Sequence, residues 1–205
     1  MQVLDEVYHH QYQADSLQPE GIVAFDVIAD ELVKMFNPKT AMDVGCGGGA
    51  LIQGLLKRGV DAYGIEGSSH AKQYMPDRIG IHDLRRPLQE ADWYDGPAQS
   101  YDLVTCTDVG EHIEHEGHDN FCKTLADLTK YGGWLVFGAA GEGQEGLGHV
   151  ACEHPCYWID RLERVGFRLL AGDSEILRRA IKSHPEHAFA WWVAKNLMVF
   201  VRSGA

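Results

Sequence analysis

Residues 40–49 read TAMDVGCGGG. An apolar run, Ala41, Met42 and Val44, ends in glycines at 45, 47, 48 and 49. Leu51, Ile52, Leu55 and Leu56 then recur a turn apart, the spacing of one helix face. The stretch therefore predicts a strand over about 40–45, a glycine turn, and a helix over about 49–58 that stops at Gly59. A Cβ in such a turn would obstruct both a tight backbone and a closely approaching ligand. A turn that opens a helix also offers backbone N–H groups to a carboxylate or phosphate.

Working outward, residues 22–36 carry Phe25, Ile28, Leu32 and Met35–Phe36 at helical spacing and stop at Asn37–Pro38. They predict an amphipathic helix packed on a sheet. Residues 1–20 are polar with aromatics and are expected to form a lid or arm, or a frayed terminus. Downstream, DAYGIEG predicts a strand over 61–66 that ends on Glu66, with Ser68–Ser69 as a helix cap after it. A short strand over 79–82 leads to Asp83–Leu84, and SYDLVTC predicts a strand over 100–106 followed by TDVGEHI. Residues 115–130 predict a helix, Gly132–Gly133 a turn into the strand WLVFGAA, and GEGQEGLGH at 141–149 an irregular substrate loop. Tyr157, Trp158, Ile159, Leu162 and Val165 give another amphipathic helix that ends at Gly166. A strand over 167–172, a helix over 174–182 and a last strand over about 197–202 finish the pattern. Trp191–Trp192 read as packing aromatics, with a substrate wall as the other option.

At 205 residues the chain reads as a single domain, 1–205, with one large core. Its hydrophobic content of 45% and charged content of 23% are ordinary for a globular protein. No apolar run approaches the ~20 residues that cross a membrane, and MQVLDEVYHH has neither the basic nor the apolar region of a signal peptide. Five cysteines form no paired framework, so a reduced, cytoplasmic protein is expected. The formal net charge of −12 argues against a nucleic-acid backbone as main partner. Arg85–Arg86 and Arg178–Arg179 read as solvated surface.

Two ligand classes fit the glycine turn. Gly45, Gly47, Ala50 and Glu66 loosely satisfy the dinucleotide pattern of spaced glycines with an acid about 20 residues on. The other class is S-adenosylmethionine. DVGCGGG closely resembles the first motif of class I S-adenosylmethionine-dependent methyltransferases, and YDLV closed by Glu111-His112-Ile113 resembles their fourth strand and its turn. The resemblance covers roughly residues 35–170. It implies an α/β, Rossmann-like doubly wound sheet of seven strands in the order 3-2-1-4-5-7-6, with strand 7 antiparallel. It implies a methyl group moved by in-line displacement to a small-molecule acceptor, without membrane or nucleic-acid partners. Oligomeric state is left open. An NAD-dependent oxidoreductase, a non-catalytic cofactor-binding subunit and a nucleic-acid methyltransferase are the alternatives.

The same resemblance implies residue roles. Asp43, Gly45, Cys46 and Gly47 shape the methionine end of the cofactor, with Cys46 as a small packing residue. Glu66 accepts from the ribose hydroxyls. Asp83 accepts from the adenine amino group while Leu84 packs on the ring, with His82 as a lesser candidate. Backbone near Cys106 and Thr107 receives the methionine ammonium, and Asp108 faces the cleft.

Because the cofactor supplies the leaving group, alignment is the main requirement and a base is optional. A histidine titrating near neutrality suits that base. His149, beyond the glycine loop, and His112 are the candidates, with His154 as a rival. Asp108, Glu111 and His112 have the spacing D-x-x-E-H, which would share a face of a helical turn. With His149 they would offer two carboxylates and two imidazoles. This resembles the site of ubiquinone-type O-methyltransferases, and of enzymes that methylate the 2′-hydroxyl of small-RNA 3′ ends, where a divalent ion grips the acceptor hydroxyls. It departs from them in having Asp108 where a longer Glu stands. The sequence leaves the metal open. Zinc bound through His149, Cys152, Glu153, His154 and Cys156 is disfavoured by the lack of a C-x-x-C pair.

Overall fold

The computed structural model describes residues 17–92 and 101–203. The expected arm, up to residue 16, and the segment with Trp93–Tyr94 lie outside the described residues. In chain order the elements are α1 (Pro19–Phe36), β1 (Thr40–Val44), α2 (Ala50–Lys57), β2 (Asp61–Glu66), β3 (Ile79–Ile81) and β4 (Tyr101–Thr107). There follow α3 (His118–Leu128), β5 (Thr129–Gly138), α4 (Pro155–Arg164), β6 (Phe167–Leu169), α5 (Ala171–Ser183), α6 (His187–Ala194) and β7 (Met198–Arg202).

The strands form one sheet in the order β3-β2-β1-β4-β5-β7-β6. β7 is antiparallel to both of its neighbours, and the other pairings are parallel. This is the expected doubly wound architecture. Alternate strand residues feed two cores, as the pleat requires. Ala41, Leu103, Val136 and Val199 pack with Ile28, Leu32 and Leu55 from α1 and α2 and Ile181 from α5. Met42, Val104, Phe137 and Phe200 pack with Phe121, Leu125, Trp158 and Leu162 from α3 and α4. Central strands covered on both faces explain why β1 and β4 read as apolar runs.

Several expected bounds move. β5 starts at Thr129, not after Gly132–Gly133. Tyr101 pairs with Thr129 and Leu103 with Trp134, so the glycine pair sits in an irregularity of the ladder and not in a turn before it. Between β2 and β3 there is only a 3-10 segment, Ser69–Gln73. The helix expected after the Ser68–Ser69 cap is therefore reduced to that short segment. β6 stops at Leu169, and two helices, α5 and α6, separate it from β7. The segment 183–196, for which the sequence pattern predicted no element, holds all of α6, and α6 packs on α1.

Asp102, from the YDLV stretch, ties the start of β1 to β4. Its Oδ2 accepts the N–H groups of Lys39 at 2.7 Å and Thr40 at 3.0 Å, and its own N–H donates to Thr40 Oγ1 at 3.1 Å. Lys130 pairs with the other carboxylate oxygen. Burial would push the Asp102 carboxyl up, but Lys130 and the two N–H groups outweigh it and hold the pKa below its ordinary value. A group depressed in the folded state stabilises above its unfolded pKa, about 3.9 for Asp, and that stability fades as pH falls through the folded value. Asp102→Ala is expected to cost about 2–3 kcal/mol at pH 7, the loss of charge-assisted hydrogen bonds. In urea unfolding the gap to the unsubstituted protein should close below about pH 4. A gap that stays constant with pH would remove this assignment.

Candidate functional site

The strand order reverses direction between β1 and β4. Open parallel sheets bind ligands outside the carboxyl ends of the strands at such a switch point. A cavity of about 330 Å³ lies there. β1 and its turn contribute Asp43, Gly45, Cys46 and Gly47 to its wall. Glu66 enters from the end of β2, Asp83 and Leu84 from beyond β3, and Thr107 and Asp108 from the end of β4. The nine residues nominated for the cofactor thus surround one space.

The glycine turn is held from both sides. Gly45 and Cys46 donate their N–H groups to Ile65 O at 2.8 and 3.1 Å. Gly47 N–H donates to Glu66 Oε2 at 2.9 Å, and Ser68 N–H to Glu66 Oε1 at 3.1 Å. The turn does offer an N–H to a carboxylate, and that carboxylate is the chain's own. Each carboxylate oxygen has a second acceptor position, so Glu66 keeps acceptor capacity toward the cavity. Burial raises its pKa against the pull of these N–H groups. Gly45 has φ +77°, and a Cβ there would lie 2.2 Å from Val109 Cγ2. Gly64, on β2, is the second glycine that the site needs. A Cβ there would lie 2.4 Å from Cys46 Sγ and 2.6 Å from Ile52 Cδ1. Cys46 is thus a buried packing residue, as expected, and burial pushes its thiol well up.

Asp43 faces Thr105 across the β1–β4 ladder and accepts its hydroxyl at 2.7 Å. Burial, with the nearby Glu66 carboxylate adding to it, pushes Asp43 up to about 7. Asp83 does not face the cavity unencumbered. Burial pushes its carboxyl up, but Arg85 holds it lower overall through Nε at 2.9 Å, the guanidinium end at 2.8 Å and its own N–H at 3.1 Å. Arg85 is a wall residue of the cavity, and the reading of it as solvated surface is corrected. His82, the lesser adenine candidate, is buried and turns Nε2 to Arg86 O at 3.2 Å.

Asp108 has φ +54°, which among the described residues only Asn37 matches outside glycine. Such strain in a non-glycine residue concentrates at functional sites. The left-handed step also corrects the expected helical face. Asp108 precedes the 3-10 turn Gly110–His112 and is not part of it. Burial, then the neighbouring Glu111 carboxylate, pushes Asp108 up to about 7, while Lys195 and His149 pull the other way.

Glu111, His112 and His149 bring one ligand atom each to within 4.8 Å of the others. Glu111 is 1% exposed. Its Oε1 accepts Ala140 N–H at 3.0 Å, and its backbone carbonyl accepts from Val150 and Ala151 at 2.8 and 3.0 Å. Glu111 thereby straps the glycine loop over the turn. Its Oε2 is buried without a hydrogen-bond partner, and burial raises its carboxyl pKa. His112 turns Nδ1 to Gly148 O at 3.1 Å, and His149 turns Nδ1 to Gln144 O at 2.8 Å. A carbonyl only accepts, so the proton sits on Nδ1 and Nε2 carries the lone pair of each ring. The rings meet edge-on, 4.8 Å between centroids.

His112 lines the cavity, and His149 stands behind it. His154 is exposed, caps α4 by accepting Cys156 N–H at 3.2 Å, and is not among the residues of the cavity wall. Of the cysteines in the disfavoured zinc set, Cys152 lies 3.4 Å from His149 Nδ1 and Cys156 is exposed.

Other wall residues were read from the sequence only as packing. Phe25 counted toward an amphipathic helix, and Val193 had no signal of its own. Trp192 is 69% exposed and lines the cavity with them. At that exposure it is not the packing aromatic expected of it.

No described helix is long and apolar enough to cross a membrane. The methyltransferase-domain family matches residues 10–196 of the chain. The ubiquinone biosynthesis O-methyltransferase of Nitrosomonas europaea is 34% identical over 112 residues, 53% of this chain and 46% of that protein. The chain thus spans about half the length of the curated relatives it matches. The S-adenosylmethionine-dependent methyltransferase of Archaeoglobus fulgidus superposes with a TM-score of 0.58 at 17% identity, over 70% of this chain and 69% of that one. Streptomyces venezuelae DesVI superposes with a TM-score of 0.63 at 16% identity, over 96% of this chain and 99% of that one. At such identities the two superpositions speak for the fold. With a family match over most of its length and this sheet order, the chain belongs to the class I S-adenosylmethionine-dependent methyltransferases.

Proposed function

We propose that this methyltransferase moves the methyl group of S-adenosylmethionine to a hydroxyl of a small-molecule acceptor. The observation that carries the reading is the Glu111–His112–His149 group, whose His112 lines, together with Asp108, the cavity shared with the glycine turn. Family membership speaks against the nicotinamide alternative that glycine spacing left open, and it supports a transferase over a non-catalytic subunit. A net charge of −12 disfavours nucleic acid, and a relative named for ubiquinone biosynthesis O-methylation supports an oxygen nucleophile on a small molecule.

In this reading Asp43 and the turn Gly45–Gly47 hold the methionine end of the cofactor. Glu66 accepts from the ribose hydroxyls through acceptor positions its backbone partners leave over. Asp83, kept ionised and oriented by Arg85, accepts from the adenine amino group above Leu84. Thr107 and Asp108 bound the methionine end from β4. The carbon–sulfur bond breaks as the carbon–oxygen bond forms, so the chain's main task is to align oxygen, carbon and sulfur.

The residues fit a divalent cation: one carboxylate oxygen buried without a partner, and two imidazoles whose Nδ1 protons are committed to carbonyls. Glu111, His112 and His149 would hold it, and when bound it would lower the pKa of an acceptor hydroxyl as a Lewis acid. Asp108, a methylene shorter than Glu, is outside that set and stands on the cavity wall to hold the departing hydroxyl proton. Without a cation, His112 is the imidazole on the wall that can take that proton. Its pKa is lowered by burial.

Two outcomes are expected. Protein dialysed against chelator should bind one Mn²⁺ or Zn²⁺ per chain by calorimetry and melt higher with it. Glu111→Gln, which retains an acceptor for Ala140 N–H, should weaken that binding by more than about tenfold. Full turnover by the stripped protein in chelator would contradict the cation. Separately, Gly45→Ala places a Cβ against Val109 at an unfavourable φ. It should cost about 1–3 kcal/mol of stability and weaken S-adenosylhomocysteine binding, read by calorimetry on the folded variant. Unchanged affinity would remove the turn from the cofactor site.

A further inference from the structure

The loop 141–149 is folded around Gln144. Gln144 N–H donates to Gly141 O at 3.0 Å, which closes a four-residue turn. The Gln144 side chain then clamps that turn. Its Oε1 accepts Gly141 N–H at 2.7 Å and Asn196 Nδ2 at 3.0 Å. A main-chain N–H only donates, so the oxygen and not the amide nitrogen faces Gly141. Both acceptor positions of that oxygen are filled, one from within the loop and one from the residue two before β7.

The main-chain carbonyl of the same residue faces His149. It accepts from His149 Nδ1 at 2.8 Å and from Cys152 Sγ at 3.4 Å. Gly146 bounds the far side of the ring. A Cβ there would lie 2.4 Å from His149 Nε2 and 2.6 Å from Cε1. Gly146 is not among the glycines of positive φ, so its missing side chain serves for room and not for the turn. The imidazole is thus fixed by one hydrogen bond at Nδ1 and by backbone packed against its Nε2 side. The bond depends on where the clamp holds Gln144.

We propose that Gln144 is a positioning residue for the Glu111–His112–His149 group: its clamped side chain aims its own carbonyl at His149 Nδ1 and leaves Nε2 as the bare lone pair. The inference deepens the reading in which that group holds a cation, and rests on it. Which ring nitrogen carries the proton is set by the bond the other one makes. A carbonyl behind a ligating imidazole fixes both its tautomer and its orientation. Gln144 is not in the wall of the cofactor cavity, so it acts through His149 and not on the cofactor.

The test compares two variants of the full chain. Gln144→Met keeps the length of the side chain and removes its acceptor. Gln144→Glu keeps an acceptor for both Gly141 N–H and Asn196 Nδ2. The first readout needs no cation: the tautomer of His149 in chelator-treated, ¹⁵N-histidine-labelled protein, from long-range ¹H–¹⁵N spectra at about pH 8.5, where a histidine of ordinary pKa is neutral. The His149 signals are assigned by their absence in His149→Gln. The unsubstituted protein and Gln144→Glu should show His149 protonated on Nδ1, and Gln144→Met should show a mixture with the Nε2–H form. The second readout is Mn²⁺ or Zn²⁺ affinity by calorimetry, which Gln144→Met should weaken by roughly tenfold or more and Gln144→Glu should largely keep. Asn196→Asp leaves Gln144 in place and removes one of its donors. It should shift the tautomer in the same direction, and it carries the test if Gln144→Met does not fold.

An Nδ1–H tautomer that persists unmixed in Gln144→Met overturns the proposal, as does an unchanged cation affinity there or a Gln144→Glu that behaves like Gln144→Met. An unsubstituted protein that takes up neither metal ion would instead overturn the cation reading, and the tautomer comparison would still decide whether Gln144 sets the ring.

Discussion

The hydrogen bond from Gly47 N–H to the Glu66 carboxylate, 2.9 Å long, joins the two halves of the cofactor end of the molecule. It closes the glycine turn after β1 onto the tip of β2. The turn can be closed only because Gly45, Gly47 and Gly49 adopt positive φ, and the strands can come together behind it only because Gly64 leaves room for Cys46. Glu66 therefore holds the fold together, and in the proposed reading the same carboxylate also meets the cofactor. A carboxylate that already accepts from two backbone N–H groups is fixed in direction before any ligand arrives, which lowers the ordering cost of binding.

Along the wall of the cavity the constraint is electrostatic. Asp43, Glu66, Asp108 and Glu111 are four acids with raised pKa values on a short arc of the sheet edge. Desolvation is the first cause in each, and such sites usually take a positively charged partner. In the proposed reading the sulfonium cofactor supplies one positive charge near Asp43, and the Glu111 cluster, with its bare Oε2, would take a second. Cofactor and cation would in this sense neutralise adjoining parts of one acidic rim.

Much of this was legible in the sequence because its signals are local. The apolar run before the glycines, the acid at the end of DAYGIEG and the YDLV–Glu-His stretch each carry their meaning within about ten residues, and the sheet order came from the family they resemble. What escaped depends on distant partners. Arg85 reads as surface until Asp83 folds against it. The common face expected of Asp108, Glu111 and His112 assumed helical geometry, and one positive φ at Asp108 removed it. His149 needed the strap from Glu111 to Val150 before its place behind His112 could be known. The start of β5 was masked by Gly132–Gly133, which read as a turn although the ladder absorbs them.

The most direct test of this architecture is a calorimetric titration of S-adenosylhomocysteine into the folded chain, with NAD titrated in parallel and Glu66→Gln as the comparison. The account predicts saturable binding of one S-adenosylhomocysteine per chain, no heat with NAD, and clearly weaker binding in the Gln variant. Binding of NAD in place of the nucleoside, or an undiminished affinity in Glu66→Gln, would contradict it.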